Sequence, residues 1–174
     1  MRRLRILLLY IYLFIIHTAL AAQTPKYEVR AAWVTTAYGL DWPHNKATSP
    51  SSIRKQQEDL NNILDKLKAA NFNTVLFQAR TRGDVFYRSQ IEPFNAILTG
   101  SVGGDPGYDP LAFVVDECHK RGMECHAWIV TIPLGSKKHV ASLGKYALTK
   151  RNPEICVPYK TEYFLNPGDR KSVV

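Results

Sequence analysis

The sequence predicts an α/β fold built on a parallel sheet, and favours a barrel over an open sheet. Three short apolar runs alternate with two amphipathic helices, which is the pattern of right-handed β-α-β units. The links from helix to strand are very short, whereas the links from strand to helix are long. A chain of 174 residues, 45% hydrophobic and 22% charged, is suited to one globular domain.

Three segments have the composition of buried strands, because each is rich in β-branched and aromatic residues. They are residues 28–35 (EVRAAWVT), 74–80 (TVLFQAR) and 124–131 (ECHAWIVT).

Two amphipathic segments lie between these strands. The first has an apolar stripe at helical spacing, begins near Ser49-Pro50 and ends near Asn71; the stripe is Leu60, Ile63, Leu64 and Leu67. In the second, Asp109 is the predicted cap and Pro110 the first helical residue. Gly122 is its predicted C-terminal glycine. The stripe of this second helix is Leu111, Val114, Val115 and Cys118.

The long links, residues 36–48 and 81–108, both follow strands, so they lie at the carboxyl ends of the strands. Parallel α/β domains build their sites at this edge. An open nucleotide-binding sheet would need a tight glycine turn after its first strand, and none follows Thr35. The glycine-rich segment 100–107 lacks the Lys-Ser/Thr of a phosphate-binding loop. These observations favour the barrel.

The N-terminus predicts a signal peptide over residues 1–21. Arg2, Arg3 and Arg5 precede an apolar run over residues 6–16, and Ala19-Leu20-Ala21 offers a small-x-small cleavage pattern. We therefore expect cleavage after Ala21 and a periplasmic or extracellular protein. The alternative is an uncut anchor, although this run contains a histidine and closes on a cleavage pattern.

Loss of three arginines with this leader reduces the formal net charge from +8 to +5. There are no runs of Lys or Arg, so we expect no nucleic-acid partner. Because cleavage removes the apolar run of the leader, we expect no membrane span in the mature protein. Cys118, Cys125 and Cys156 have no metal-ligand spacing, and no further zinc ligands occur at fixed spacing. The sequence predicts no cofactor and no metal. The odd number of cysteines favours small buried thiols over a disulfide framework.

The residues at the predicted strand ends are of a type that binds sugars. Aromatic faces stack on apolar C–H surfaces, and planar polar groups pair with hydroxyls. His126 and Trp128 are two residues apart on a strand and so share a face. The candidate substrate-binding residues are Asp41, Trp42, Gln78, Arg80, Asp84, Tyr87, Glu92, His126 and Trp128.

Several of these residues have a structural alternative. Trp42 can hold its loop by burial, Arg80 can form an ion pair with Asp84 or Glu92, and His126 can be a histidine of the barrel interior. Glycoside hydrolysis uses two carboxyls about 5 to 9 Å apart, and no pair is singled out by the sequence. The catalytic residues are therefore unknown.

Several motifs together resemble the family-10-like glycosyl hydrolases. They occur in order as EVRAAWVTTAYGLDWP, FQARTRGDVFYRSQIEPF, LTG, GYDPL, HKRGMECHAWIV and NPEICVPYKTEYFLNPGD. The resemblance covers residues 26–169 and implies an exported (β/α)8 barrel of the TIM type. It implies hydrolysis of a polysaccharide of the cell envelope or of another polysaccharide, with the glycan of peptidoglycan among the candidates. It adds Asn166 to the candidate substrate-binding residues.

By this resemblance, the barrel domain over residues 26–174 holds the first three βα units and stops before the fourth strand. The family's acidic motif on that strand does not follow Asp169, so we expect the chain to be an inactive fragment. Two alternatives remain open: a non-catalytic glycan-binding module, and an open α/β domain that binds a small polar ligand.

Overall fold

The computed structural model describes residues 28–168 and, apart from them, Tyr12. Apart from Tyr12, the predicted signal peptide therefore lies outside the described residues. Within the described part, no helix has the length and apolar character needed to cross a membrane.

The main sheet has three parallel strands, β1 (Ala31–Val34), β2 (Thr74–Arg80) and β3 (Glu124–Ile129). They lie side by side in chain order, β1-β2-β3. An order of 2-1-3, as in flavodoxin-like open sheets, would have contradicted the barrel, whereas the observed order is shared by barrels and by the dinucleotide-binding sheet of order 3-2-1-4-5-6. The predicted α/β fold with a parallel sheet is confirmed, and the sheet is not closed within residues 28–168.

Helix α1 (Pro50–Ala69) begins where the sequence predicts. The Ser49 side chain accepts a hydrogen bond from the Ser52 backbone, the Ser52 side chain accepts one in return, and Pro50 occupies the first turn. These groups satisfy backbone donors that have no partner inside a helix.

Helix α2 (Pro110–Lys120) also has the predicted bounds. Asp109 Oδ1 accepts from the Ala112 backbone at 3.0 Å, and Gly122 adopts φ 63° just beyond the helix. Only a glycine takes this conformation without strain, which explains the sharp stop.

The main core lies between the sheet and these two helices. The sheet contributes Val34, Val75, Phe77 and Ala79, and the helices contribute Leu60, Leu64, Val114 and Cys118. Alternation along the strands sends these sheet residues to one face. Trp42 and Phe86, from the two long loops, complete the core.

The opposite face of the sheet carries Trp33, Leu76 and His126 in register. Trp33 is 58% exposed and its ring meets Trp128 edge to face at 4.7 Å. The prediction of buried strands is wrong for β3 and for most of β1. Both are edge strands of the described sheet, and no described helix covers this face.

A second sheet follows β3 and was not predicted. Strands β4 (Pro133–Ser136), β5 (Cys156–Tyr159) and β6 (Glu162–Leu165) are antiparallel in the order β4-β6-β5. The connection holds helices α3 (Lys137–Ser142) and α4 (Leu148–Arg151). These strands and helices share a small apolar core, formed by Leu134, Val140, Leu143 and Ala147.

Candidate functional site

A cavity of about 230 Å³ lies beyond the carboxyl ends of β1 and β2, at the predicted edge of the sheet. Three segments form its walls: the loop after β1, the long loop after β2, and helix α3 with the residue that follows it. Its polar lining residues are Tyr38, Thr81, Arg82, Asp84, Asn95, His139 and Ser142.

Tyr38 is the exposed aromatic side chain of this cavity, with 76% of its surface open to solvent. It lies in a single 3-10 turn (Ala37–Gly39) and adopts φ 58°, a conformation that a non-glycine residue rarely takes. The Arg82 guanidinium lies over its ring, 5.3 Å from the centroid, and also donates a hydrogen bond to its hydroxyl. These contacts fix the orientation of the ring at the mouth of the cavity.

The turn of Tyr38 is held by Gln78, on β2. Gln78 Oε1 accepts hydrogen bonds from the backbone nitrogens of Thr36, at 3.0 Å, and Ala37, at 2.9 Å. The Thr36 hydroxyl donates to the Gln78 carbonyl at 2.8 Å. Since Gln78 is almost fully buried, these bonds make it a support of the turn.

Asp84 is the buried carboxylate of the cavity, only 2% exposed. It accepts hydrogen bonds from the Thr81 hydroxyl and from Asn95 Nδ2, the latter at 2.9 Å. His139 Nε2 lies 3.7 Å from Asp84 Oδ2 and 3.0 Å from the Arg82 carbonyl oxygen. This carboxylate thereby contacts side chains of the long loop after β2 and of helix α3.

Sequence reasoning did not select Asn95 or His139. Asn95 lies in the middle of the long loop after β2, and His139 belongs to a unit that was not predicted. The signal that could have found His139 is Ser136 three residues before it, since this serine accepts from the His139 backbone as a helix cap.

Arg80 and Glu92 form a buried ion pair, as the structural alternative for Arg80 predicts. Nε and one terminal nitrogen of Arg80 each lie 2.6 Å from a different Glu92 oxygen. The other terminal nitrogen donates to the carbonyls of Val130 and Thr131. The pair fastens the long loop to the end of β3, away from the cavity.

Tyr87 is half-buried beside this pair. Burial raises the pKa of its hydroxyl above the ordinary value, and the charge of Glu92 raises it further. Tyr87 therefore keeps its proton at neutral pH and can donate a hydrogen bond.

Trp42 lies in the core. Its ring is 0% exposed, and its Nε1 donates to the Gln56 carbonyl at 2.8 Å. Asp41 beside it is exposed, and its Oδ2 accepts from the Thr35 backbone at 2.7 Å. Both residues are placed to hold the loop after β1, and neither lines the cavity.

The three other candidates are not brought to the cavity. His126 and Trp128 lie on the face of the sheet opposite the helices, where His126 Nε2 is 3.0 Å from Glu124 Oε2. Asn166 follows the second sheet, and its Oδ1 accepts from the Gly168 backbone at 3.0 Å. Of the ten candidate residues, only Asp84 is among the cavity-lining residues.

This arrangement can bind a polar ligand that has apolar faces. Tyr38 offers a ring, Arg82 offers donors, and Asp84 anchors its neighbours. Within residues 28–168, Asp84 is the one carboxylate among the lining residues, so the two-carboxyl requirement of glycoside hydrolysis is not met there.

Comparisons with known proteins agree with the motif resemblance. Residues 28–160 match the family described as glycosyl hydrolase-like 10. The chain is 32% identical over 142 residues to the glycosyl hydrolase YngK of Bacillus subtilis, covering 81% of this chain and 27% of that protein. It is 41% identical over 110 residues to the glycosyl hydrolase DigH of Escherichia coli, covering 61% of this chain and 25% of that protein.

The chain thus spans about a quarter of the length of these curated relatives. A maltogenic alpha-amylase of Thermotoga neapolitana, AmyB, superposes with a TM-score of 0.48 at 14% identity, over 82% of this chain and 32% of the amylase.

Proposed function

The chain belongs to the glycosyl hydrolase-like 10 family, and from this premise we propose that the protein hydrolyses glycosidic bonds in a polysaccharide of the cell envelope, with the glycan of peptidoglycan as the first candidate substrate. The two curated relatives are both named glycosyl hydrolases, which supports the reaction class. The observation that carries the proposal is the cavity at the carboxyl ends of β1 and β2.

The chemistry of the cavity is suited to one sugar ring of such a glycan. Tyr38 presents a ring whose orientation is fixed by Arg82, so a sugar can stack on it at little entropic cost. Arg82 supplies hydrogen-bond donors for hydroxyl groups. A cavity of about 230 Å³ is smaller than a typical drug-sized pocket, which fits one ring of a longer chain better than a whole oligosaccharide.

The described residues supply the binding side of this site. Asp84 is engaged by Thr81 and Asn95, so we assign it the role of holding the cavity wall. The acid and base of the reaction are not assigned to residues 28–168.

The proposal includes export, supported by the basic n-region, apolar run and small-x-small pattern of residues 1–21. N-terminal sequencing of the protein recovered outside the cytoplasm tests this part. We expect a mature protein that begins at Ala22, and recovery of a chain that begins at Met1 contradicts it.

The reaction is tested with the full-length protein and purified peptidoglycan, by measuring released reducing ends. We expect release by the wild-type protein. Arg82→Ala should lower kcat/KM by at least tenfold, because a hydrogen bond from a charged donor contributes about 1.5–3 kcal/mol. Arg88→Ala is the matched control, since Arg88 pairs with Asp105 outside the cavity lining.

Two outcomes contradict the proposal in different ways. Binding of peptidoglycan that is weakened by Arg82→Ala, without release of reducing ends, identifies a glycan-binding module instead. Absence of both binding and release excludes this substrate.

A further inference from the structure

A second cavity, of about 310 Å³, adjoins the first at the turn that presents Tyr38. Tyr38 and Ile97 line both cavities, so the two spaces meet along these side chains. The remaining lining residues of the second cavity all belong to the loop after β1; they are Gly39, Pro43, His44, Asn45 and Lys46. A ligand that stacks on the Tyr38 ring can therefore extend from the first cavity into the second.

The wall of the second cavity is held by buried hydrogen bonds. Gln56, a residue of α1 that is 0% exposed, donates through Nε2 to the carbonyls of Asn45, at 2.7 Å, and Leu98, at 3.2 Å. The Ala47 backbone donates to the same Leu98 carbonyl at 2.7 Å. Because Leu98 follows Ile97, these bonds join the two segments that line the cavity. The cavity is thus formed before a ligand enters, and little entropy is lost in ordering its wall.

The second cavity carries a cation without an anionic partner. Lys46 is exposed at its rim, and within residues 28–168 the Lys46 Nζ has no hydrogen-bond or ion-pair partner. No carboxylate is among the described lining residues of this cavity, whereas Asp84 lines the first. The two cavities therefore differ in charge, and an anionic group is favoured in the second.

The Lys46 side chain lies against the backbone of Gly100, in the long loop after β2. A Cβ added at Gly100 would be 3.1 Å from Lys46 Cδ and 3.2 Å from its Nζ. The aliphatic stem thus packs on the protein while the ammonium stays in contact with solvent. This packing places the charge at the rim of the cavity, where a ligand group can reach it.

We propose that the second cavity is a subsite for the next sugar of the glycan, and that Lys46 binds a carboxylate carried by that sugar. This inference rests on the proposed function, because the first cavity holds the adjoining sugar. It adds the substrate class, which is a glycan with acidic sugars. The lysine ammonium has three donors on a flexible stem, so it can follow a carboxylate on a flexible substituent.

The expected contribution of Lys46 is modest because its side chain is exposed. An ion pair in contact with water is weakened by the solvent, so the carboxylate should strengthen binding about two- to fivefold. Salt at about 1 M screens such a pair, and the advantage of the acidic sugar should then disappear.

The test measures binding of two disaccharides to the full-length protein by titration calorimetry at low ionic strength. The acidic probe joins N-acetylglucosamine to N-acetylmuramic acid, whose lactyl group ends in a carboxylate. The neutral probe is diacetylchitobiose, which lacks that group. We expect the wild-type protein to bind the acidic probe about two- to fivefold more tightly than the neutral one.

Three variants separate recognition of the carboxylate from support of the fold. Lys46→Gln should weaken binding of the acidic probe alone, so that both probes bind equally. Lys46→Arg keeps the charge and should keep the preference. Lys55→Gln is the matched control, since the Lys55 side chain is also exposed, at 58%, but pairs with Asp59 on α1 outside both cavity linings.

Three results would overturn the inference. They are equal binding of the two probes by the wild-type protein, a preference that persists in Lys46→Gln, and an equal loss of affinity for both probes in Lys46→Gln. A wild-type protein that releases reducing ends from peptidoglycan but binds neither probe also overturns it and leaves the proposed function intact. Absence of both release and binding overturns the two together.

Discussion

Glu92→Gln is the substitution that most directly tests how the long loop after β2 is held. The Arg80 and Glu92 side chains are each only 8% exposed, and their two contacts of 2.6 Å join the loop to β2. Arg80 also donates to the carbonyls of Val130 and Thr131. A neutral amide in place of Glu92 would leave the guanidinium buried with uncharged acceptors alone.

Breaking a buried ion pair by removing one partner costs about 3–5 kcal/mol, because an uncompensated charge remains. Glutamine keeps one oxygen that can still accept a hydrogen bond, so we expect the lower end, about 3 kcal/mol. The matched control is Asp105→Asn. The Arg88–Asp105 pair also joins a guanidinium to a carboxylate, but both side chains are 55% exposed. Exposed ion pairs contribute about 0.2–1 kcal/mol to stability.

Native-state hydrogen exchange of the full-length protein measures the local effect. The reporting amides belong to the segment that carries Glu92: Val85 donates to the Pro93 carbonyl and Asn95 to the Val85 carbonyl, both at 3.0 Å. A loss of about 3 kcal/mol accelerates their exchange roughly 150-fold, while amides in the middle of α1 should not change. If Glu92→Gln accelerates exchange no more than Asp105→Asn does, the ion pair does not hold this loop.

Three further substitutions test other supports of the fold. Trp42→Phe keeps an aromatic ring in the core but leaves the Gln56 carbonyl without its donor, and should lower the free energy of unfolding by about 1–3 kcal/mol in urea titrations. Asp109→Ala removes the cap of α2 and should cost about 1–2 kcal/mol, whereas an unchanged midpoint would exclude the cap as a support. Hydrogen bonds from Lys120 and then Arg121 hold the pKa of the Glu117 carboxyl below its ordinary value. The contribution of this carboxylate to the free energy of unfolding is therefore present above the unfolded pKa and is lost as pH falls through the folded pKa. The stability difference between the wild-type protein and Glu117→Gln should therefore shrink as pH falls below about 4, and a difference that is independent of pH would contradict this.

Local chemistry made the two helices predictable from the sequence. Ser49-Pro50 and Asp109-Pro110 each combine a side-chain acceptor with a proline that needs no donor, and both helices begin there. The second sheet escaped prediction because its strands have only four residues each and are partly exposed, which leaves a weak strand pattern. β5 and β6 form a local hairpin, but β4 pairs with β6 across the whole helical connection, and no local pattern indicates that pairing.

The edge of the sheet that carries the cavity was predictable, but most of the lining was not. The loop lengths identified the carboxyl ends of the strands as the site, because both long links follow strands. Asp84 was selected because it is one of the polar residues near the end of β2. Asn95 and His139 reach it from 11 and 55 positions further along the chain, a convergence that depends on loop paths which the sequence does not encode locally.

Gln78 shows why residue type alone does not separate a ligand contact from a structural support. A planar amide at a strand end is equally suited to a sugar hydroxyl and to backbone donors, and here it accepts from Thr36 and Ala37. Gln78→Met, of similar volume, should leave these two donors without an acceptor and release the turn that presents Tyr38. Because the binding energy of a stacked ring depends on that orientation, glycan affinity should fall although Gln78 never contacts the ligand. Gln78→Glu keeps an acceptor oxygen and should retain more of the affinity, as measured by titration calorimetry with a soluble glycan fragment. If instead Gln78→Met binds as the wild-type protein does, the position of Tyr38 is not what the cavity uses to hold a sugar.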